Sequence, residues 1–143
     1  MFINNFDPVA FNISYIEIRW YSLAYIFGII LGWIYIKVKY LKQKDSKILF
    51  DNFISYLILG IIIGGRLGYI LIYNFNYYIN NLIEILFIWK GGMSFHGGVI
   101  GVIFSTYLFS KKNKIDIFEY LDLVSLGAPI GIFFGRVSNY VNS

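Results

Sequence analysis

The sequence predicts an all-α fold, a polytopic transmembrane helical bundle with about four spans. Hydrophobic residues make up 58% of the chain and charged residues only 14%, and the mean hydropathy is +0.65. Soluble globular chains are less apolar and more charged. The apolar residues form four runs, each near the ~20 residues that a helix needs to cross a bilayer. The lysines cluster in two short loops between these runs, a pattern typical of membrane proteins rather than of nucleic-acid-binding ones.

The first run is free of charge between Arg19 and Lys37. The second continues to Ile83, broken only by Arg66, and is too long for one span. We therefore predict a span to about Tyr73, followed by a loop or interfacial segment. The start of the chain lacks the basic region of a cleavable signal peptide and is expected at an interface. A single integral membrane domain, residues 1–143, is predicted, with spans at about 20–38, 52–73, 93–110 and 122–140.

The lysines also predict an orientation. The positive-inside rule places the loops after the first and third spans in the cytoplasm and the N-terminus outside; these loops carry Lys37, Lys39, Lys42, Lys44 and Lys47, then Lys111, Lys112 and Lys114. At a rise of about 1.5 Å per residue, Arg66 and Arg136 then lie about 22 Å and 21 Å from the cytoplasmic side. With His96 near the outer start of the third span, all three are expected in the outer half of the bilayer.

Small residues recur at four-residue spacing within the spans. Such ridges let transmembrane helices pack closely, and packing alone is the preferred interpretation for most of these residues. They are Gly28 and Gly32, Gly60 and Gly64, Gly97 and Gly101, and Gly127, Gly131 and Gly135.

Two arginines lie in apolar runs, Arg66 in GGRLGY and Arg136 in GRVSNY. No acidic residue lies inside any predicted span, whereas a guanidinium group offers a fork of donors that matches phosphate or carboxylate. For Arg66 we favour an anionic ligand over a snorkelling arginine or a structural pair. Arg136 shares a helix face with Asn139, three residues on. That pair suits a phosphoryl group, and the equal alternative is an arginine that reaches the outer headgroups.

His96, the only histidine, lies in WKGGMSFHGG between two glycine pairs. Imidazole titrates near neutral pH, so we interpret His96 as a general base; the alternative is a histidine that hydrogen-bonds a neighbouring helix. Gly97 and Gly98 allow a ligand to approach the backbone. Tyr25 could line a site, although the pattern alone favours the membrane interface.

The chain has no cysteine, which excludes a disulfide, a thiolate metal site and a cysteine nucleophile. Soluble enzyme classes are excluded as well, because the sequence contains no P-loop, GxGxxG, HExxH or GxSxG motif. No metal, cofactor or nucleic-acid partner is predicted.

The motifs together resemble the prolipoprotein diacylglyceryl transferases of bacteria. The matching segments occur in the family's order and cover nearly the whole chain. They are IRWYSLAY (residues 18–25), GGRLGYILIYN (64–74), WKGGMSFHGG (89–98) and GRVSNYVN (135–142), the last with Tyr140 where the family signature has phenylalanine.

This resemblance implies an enzyme of the bacterial inner membrane that transfers the diacylglyceryl group of phosphatidylglycerol to the lipobox cysteine thiol of a prolipoprotein. It implies that Arg136 and Asn139 hold the headgroup phosphate and that Arg66 supports the headgroup. His96 would be the base or the organiser of the site, and Tyr25 matches a tyrosine important in the family. Gly97 and Gly98 would adjoin the bound substrate.

Family members are about twice as long, with roughly seven spans, a further essential arginine and a downstream histidine-proline motif. If Ser143 is the true end, the sequence predicts little or no activity, as in a truncated or inactive remnant. A different class of function also fits the intramembrane arginines and histidine, namely a small transporter or channel subunit for anions.

Overall fold

The computed structural model describes residues 9–13, 16–88 and 91–141 as a short β-hairpin followed by helices. The strands are β1 (Val9–Ile13) and β2 (Ile16–Arg19). The α-helices are α1 (Trp20–Lys39), α2 (Lys44–Tyr73), α3 (Phe75–Asn80), α4 (Phe95–Asn113) and α5 (Ile117–Val141), with a 3-10 helix at Leu82–Leu86.

The predicted helical architecture is confirmed from Trp20 onward. A long helix overlaps each of the four predicted spans, and their number as membrane spans stays a prediction. α2 begins at Lys44, earlier than the predicted span, since its first turn, residues 44–47, is polar and hydropathy does not detect it. The segment after Tyr73, predicted as a loop or interfacial stretch, contains α3 and the 3-10 helix. Short helices of this kind satisfy backbone groups locally where the asparagines interrupt the apolar run.

The hairpin is a feature that the sequence analysis did not predict. β1 and β2 are antiparallel, with Phe11 opposite Ile18 and Ile13 opposite Ile16, and the register shifts between Val9 and Phe11. The two-residue alternation of apolar side chains in VAFNI and IEIR is typical of strands. The expected position of this stretch at an interface stays a prediction.

The described chain divides into two compact units. In the unit Ile48–Leu121, α2 packs on α4 and on the first turn of α5. Phe53 is fully buried, with its ring centroid 5.2 Å from that of Phe109 and 4.9 Å from that of Tyr120. Aromatic pairs at this spacing add edge and face attraction to their burial. This cluster therefore anchors one end of the α2–α4 pair.

The other unit contains the described residues up to Lys47 and from Asp122 on. In it α1 crosses α5 at glycines: a Cβ on Gly28 would lie 2.8 Å from the Cα of Gly131. The ring centroids of Phe27 and Phe134 are 5.2 Å apart in an edge-to-face arrangement. The glycine ridges of the sequence therefore serve close helix packing here, as predicted.

Two helices of the described chain are long and apolar enough to cross a membrane, Lys44–Tyr73 and Ile117–Val137. Only 17% and 11% of their most apolar stretches are buried within the protein. Core helices of soluble proteins bury their apolar residues, whereas these helices present them at the surface. An apolar surrounding such as lipid explains this exposure.

Candidate functional site

Arg66 is a buried charge in the last third of α2, with 4% of its surface exposed. Its guanidinium group donates hydrogen bonds only to backbone carbonyls among the contacts that the structure gives it. Nε donates to Ile85 O at 3.0 Å and Nη2 to Glu84 O at 2.7 Å. Nη1 donates to Gly91 O, and to Gly92 O at 3.3 Å.

The ring of Tyr78 completes the surroundings of this arginine. The guanidinium carbon of Arg66 lies 5.1 Å from the ring centroid, within the range of a cation–π interaction. Carbonyl dipoles and an aromatic face thus take the place of an acidic partner, which the predicted spans lack. The anionic ligand expected for Arg66 stays a prediction, and the guanidinium donors in the structure are engaged by backbone oxygens.

The two residues before Met93 need glycine. Gly91 and Gly92 have φ values of 82° and 84°, a region that residues with a Cβ rarely adopt. A Cβ on Gly92 would also lie 2.7 Å from the ring of Tyr69 on α2. The main chain at Gly91 and Gly92 can therefore approach α2 closely, and Arg66 binds the carbonyls of both residues.

α4 begins immediately after this segment. Ser94 is its N-cap: the side-chain oxygen accepts a hydrogen bond from the Gly97 N–H at 3.2 Å, as capping serines do. The Ser94 N–H donates to Gly65 O at 2.9 Å, which ties the cap to α2. The sequence analysis missed this role of Ser94, although a serine just before an apolar run is a helix-start signal.

His96 is the second residue of α4, and its side chain is exposed. Its ring lies edge-on to that of Phe95, with centroids 5.9 Å apart. Gly97 is buried, and a Cβ there would lie 2.8 Å from the Cα of Gly68 on α2. Gly98 is half-buried with open space around its Cα. An exposed imidazole on a fixed backbone favours the site interpretation of His96, while helix packing explains Gly97.

Arg136 lies in α5 directly after the buried Gly135, and its side chain is exposed. Asn139 follows three residues later in the same helix, and Tyr25 lies in α1. The side chains of Asn139 and Tyr25 lie outside the described part of the structure. These three residues belong to the unit formed by α1 and most of α5, whereas Arg66, His96, Gly97 and Gly98 belong to the α2–α4 unit.

Glu84, whose carbonyl binds Arg66, also accepts a hydrogen bond through its side chain. The hydroxyl of Tyr77 donates a hydrogen bond to Glu84 Oε2 at 2.9 Å. This hydrogen bond raises the pKa of Tyr77 above its ordinary value, with smaller contributions from burial and from the charge of Glu84. Nothing in the sequence marks this pair in advance, because the partners meet only when α3 and the 3-10 helix fold.

In the described residues no group of acidic, histidine or cysteine side chains is placed to hold a metal ion. Among the candidate site residues, Arg66 and Arg136 offer guanidinium groups and His96 offers an imidazole. Guanidinium groups bind phosphate and stabilise developing negative charge, and imidazole transfers protons.

Comparison with known proteins identifies relatives over nearly the whole chain. The sequence model of a family described as Prolipoprotein diacylglyceryl transferase matches residues 8–143. Proteins named phosphatidylglycerol–prolipoprotein diacylglyceryl transferase are similar in Ehrlichia canis, at 48% identity over 95% of this chain, and in Rickettsia typhi, at 46% over 99%. The chain spans about half the length of these relatives, 52% and 56% respectively.

Proposed function

Because the chain belongs to the prolipoprotein diacylglyceryl transferase family, we propose that it transfers the diacylglyceryl group of phosphatidylglycerol to the lipobox cysteine thiol of prolipoproteins. This is the first step of bacterial lipoprotein maturation. The observation that carries the proposal is the family match over residues 8–143. The match extends over about half of each relative, and the activity proposed is that of the whole relatives.

The proposed reaction exchanges one bond for another. The cysteine sulfur of the prolipoprotein, as thiolate, attacks the glyceryl carbon that is esterified to phosphate. A carbon–sulfur bond forms, the carbon–oxygen bond to the phosphate breaks, and glycerol phosphate leaves with the electron pair. The substrate supplies the thiol, which agrees with an enzyme that has no cysteine of its own. Thiolate is the reactive form, so the thiol proton must pass to a base.

Each proposed residue has one part in this reaction. His96 takes the thiol proton or orders the groups that do, and its exposure at the start of α4 supports this. Helix N-termini favour nearby negative charge, which suits both thiolate and phosphate. Arg136, with Asn139, holds the phosphate and stabilises the charge on the leaving group, and its exposure supports that role. Tyr25 lines the site.

The remaining proposed substrate-binding residues, Gly97, Gly98 and Arg66, lie in the α2–α4 unit. Gly98 has open space around its Cα and allows the substrate to approach the backbone. Gly97 contributes through the close packing of α4 on α2. The family resemblance gives Arg66 a part at the headgroup, whereas its guanidinium group binds carbonyls of the loop before α4.

The protein is proposed to span the inner membrane four times, with its N-terminus outside. The helices α1, α2, α4 and α5 supply the spans. One lysine cluster runs from the last turn of α1 to the first turn of α2, and the other lies at the end of α4. In this orientation the catalytic residues lie in the outer half of the bilayer. The acceptor cysteine and the phosphatidylglycerol headgroup of the outer leaflet meet at that depth.

The test is lipidation of a reporter prolipoprotein in a strain depleted of its own diacylglyceryl transferase. We expect the chain to produce a gel-shifted, lipidated reporter and Arg136→Ala to abolish it, because the leaving phosphate loses its cation. Loss of one such electrostatic contact costs roughly 100- to 1,000-fold in rate.

Immunoblots of membrane fractions control for expression of both forms. An unchanged shift in Arg136→Ala, or no shift with the wild-type chain present in the membrane, contradicts the proposal. Anion flux through vesicles that contain the chain but consume no phosphatidylglycerol would instead support a transporter.

A further inference from the structure

The backbone between α3 and α4 is held against α2 mainly by one side chain. Arg66 binds the carbonyls of Glu84 and Ile85 on one side of the loop, and those of Gly91 and Gly92 on the other. These four oxygens are 18 to 26 residues away from Arg66 in sequence. A single guanidinium group thus joins two separate stretches of main chain, one at Glu84 and Ile85 and the other at Gly91 and Gly92.

A continuous set of contacts leads from this arginine to His96. Gly92 lies against the ring of Tyr69, whose hydroxyl accepts a hydrogen bond from Asn74 Nδ2 at 2.8 Å. Two residues further on, Ser94 binds Gly65 O through its N–H and caps α4 through its side chain. His96 follows the cap by two residues. Its backbone position is therefore set by contacts with α2 around Arg66.

We propose that Arg66 is a positioning residue for His96. It binds loop carbonyls rather than a substrate anion, and so fixes the start of α4 from which the imidazole projects. The inference rests on the proposed function only in giving His96 a part in transfer. It replaces the headgroup-supporting role with an indirect one, because Arg66 is 4% exposed and each of its three guanidinium nitrogens already donates to a carbonyl.

The geometry requires arginine. A guanidinium group carries five N–H donors in a rigid plane, whereas a lysine ammonium group carries three donors on one nitrogen. Only the first arrangement can bind carbonyls at different edges of the plane together. Arg66→Lys keeps the positive charge but leaves some of the four carbonyls without a donor. This variant therefore separates the effect of the guanidinium hydrogen bonds from the effect of the charge alone.

The first experiment observes His96 directly by NMR. The chain has a single histidine, so its imidazole carbon–proton signals are assigned without further variants. We compare the wild type, Arg66→Lys and Lys111→Gln in micelles free of phosphatidylglycerol. Lys111 is an exposed cation on the same helix, about 22 Å from His96 along α4, and serves as the matched control.

We expect Arg66→Lys to shift and broaden the His96 signals, because the start of α4 samples more than one position, while Lys111→Gln leaves them unchanged. Signals in Arg66→Lys that superimpose on the wild type overturn the proposal. If Arg66→Lys does not fold, Gly92→Ala perturbs the same loop with the arginine retained. Unchanged His96 signals in folded Gly92→Ala then overturn it.

The second experiment separates positioning from headgroup binding by kinetics. Misplacement of a catalytic group by about 1 Å costs up to ~100-fold in rate, so Arg66→Lys should lower kcat by up to that factor with little change in KM for phosphatidylglycerol. A raised KM with unaltered kcat and unaltered His96 signals means that Arg66 binds the headgroup. If neither the wild type nor any variant transfers the diacylglyceryl group, the proposed function fails. The NMR comparison still decides whether Arg66 positions His96.

Discussion

At the residue scale, two arginines that both lie in apolar runs of the sequence have different surroundings. Arg66 is buried and satisfied by backbone carbonyls and the ring of Tyr78, while Arg136 is exposed in α5. A buried cation must find acceptors, and where no acid is near, main-chain oxygens can supply them. An arginine in an apolar run therefore does not by itself indicate an anionic ligand, because main-chain oxygens can satisfy it, as they do for Arg66.

The pair of Tyr77 and Glu84 predicts a pH dependence. The raised pKa of Tyr77 means that its hydrogen bond to Glu84 stabilises the fold fully below tyrosine's ordinary pKa of about 10. The stabilisation is lost as the pH rises through the higher folded pKa. Tyr77→Phe should therefore have a lower melting temperature than the wild type at neutral pH, and the difference should vanish in strong alkali.

Thermal unfolding followed by circular dichroism across that pH range is the measurement. Tyr107→Phe removes a hydroxyl from another exposed tyrosine, on α4, and controls for the substitution itself. A Tyr77→Phe difference that persists unchanged in alkali would show that the hydrogen bond to Glu84 is not its cause.

At the element scale, the packing of α2 on α4 depends on direct contact between the two helix backbones at glycines. A Cβ on Gly64 would lie 2.7 Å from the Cα of Gly101, and one on Gly68 would lie 2.6 Å from the Cα of Gly97. No flexible side chain stands at these contacts to move aside. Close approach of this kind replaces the hydrophobic driving force that is missing between helices in lipid, so the glycines of both helices hold the unit together.

Gly64→Ala should destabilise the protein by about 1–3 kcal/mol, the usual cost of an overpacked contact. Gly98→Ala is the matched control on α4, since a Cβ there meets open space. Alanine is favoured over glycine in a helix by about 1 kcal/mol, so this variant should be neutral or stabilising. Unfolding by SDS, followed by helicity, measures both. Equal stability of the two variants would refute close packing at Gly64.

At the scale of the whole molecule, the surface is apolar where a soluble protein would be polar. Large apolar side chains are exposed along the helices, among them Leu71, Phe104 and Phe133 at 60% or more. Lysines concentrate instead from the last turn of α1 to the first turn of α2 and at the end of α4. This division of apolar helices and basic connections accounts for the topology that we propose.

The absence of cysteine makes that topology directly measurable, because any introduced cysteine is the only thiol. In intact cells, Asn80→Cys should react with a membrane-impermeant thiol reagent. Lys42→Cys and Lys114→Cys should react only after permeabilisation. The three positions are exposed in the structure, so accessibility reports the side of the membrane. Labelling of Lys42→Cys in intact cells would reverse the proposed orientation.

The sequence by itself determined where the long helices lie, that they are apolar, and which family the chain belongs to. Hydropathy, charge and motifs are local properties, and a helix satisfies its own hydrogen bonds. Only the tertiary structure decided the acceptors of Arg66, the glycine contacts between α2 and α4, and the exposure of His96. The carbonyls that bind Arg66 come from residues 18 to 26 positions away, and no pattern along the chain encodes which main-chain oxygens will face a buried guanidinium group.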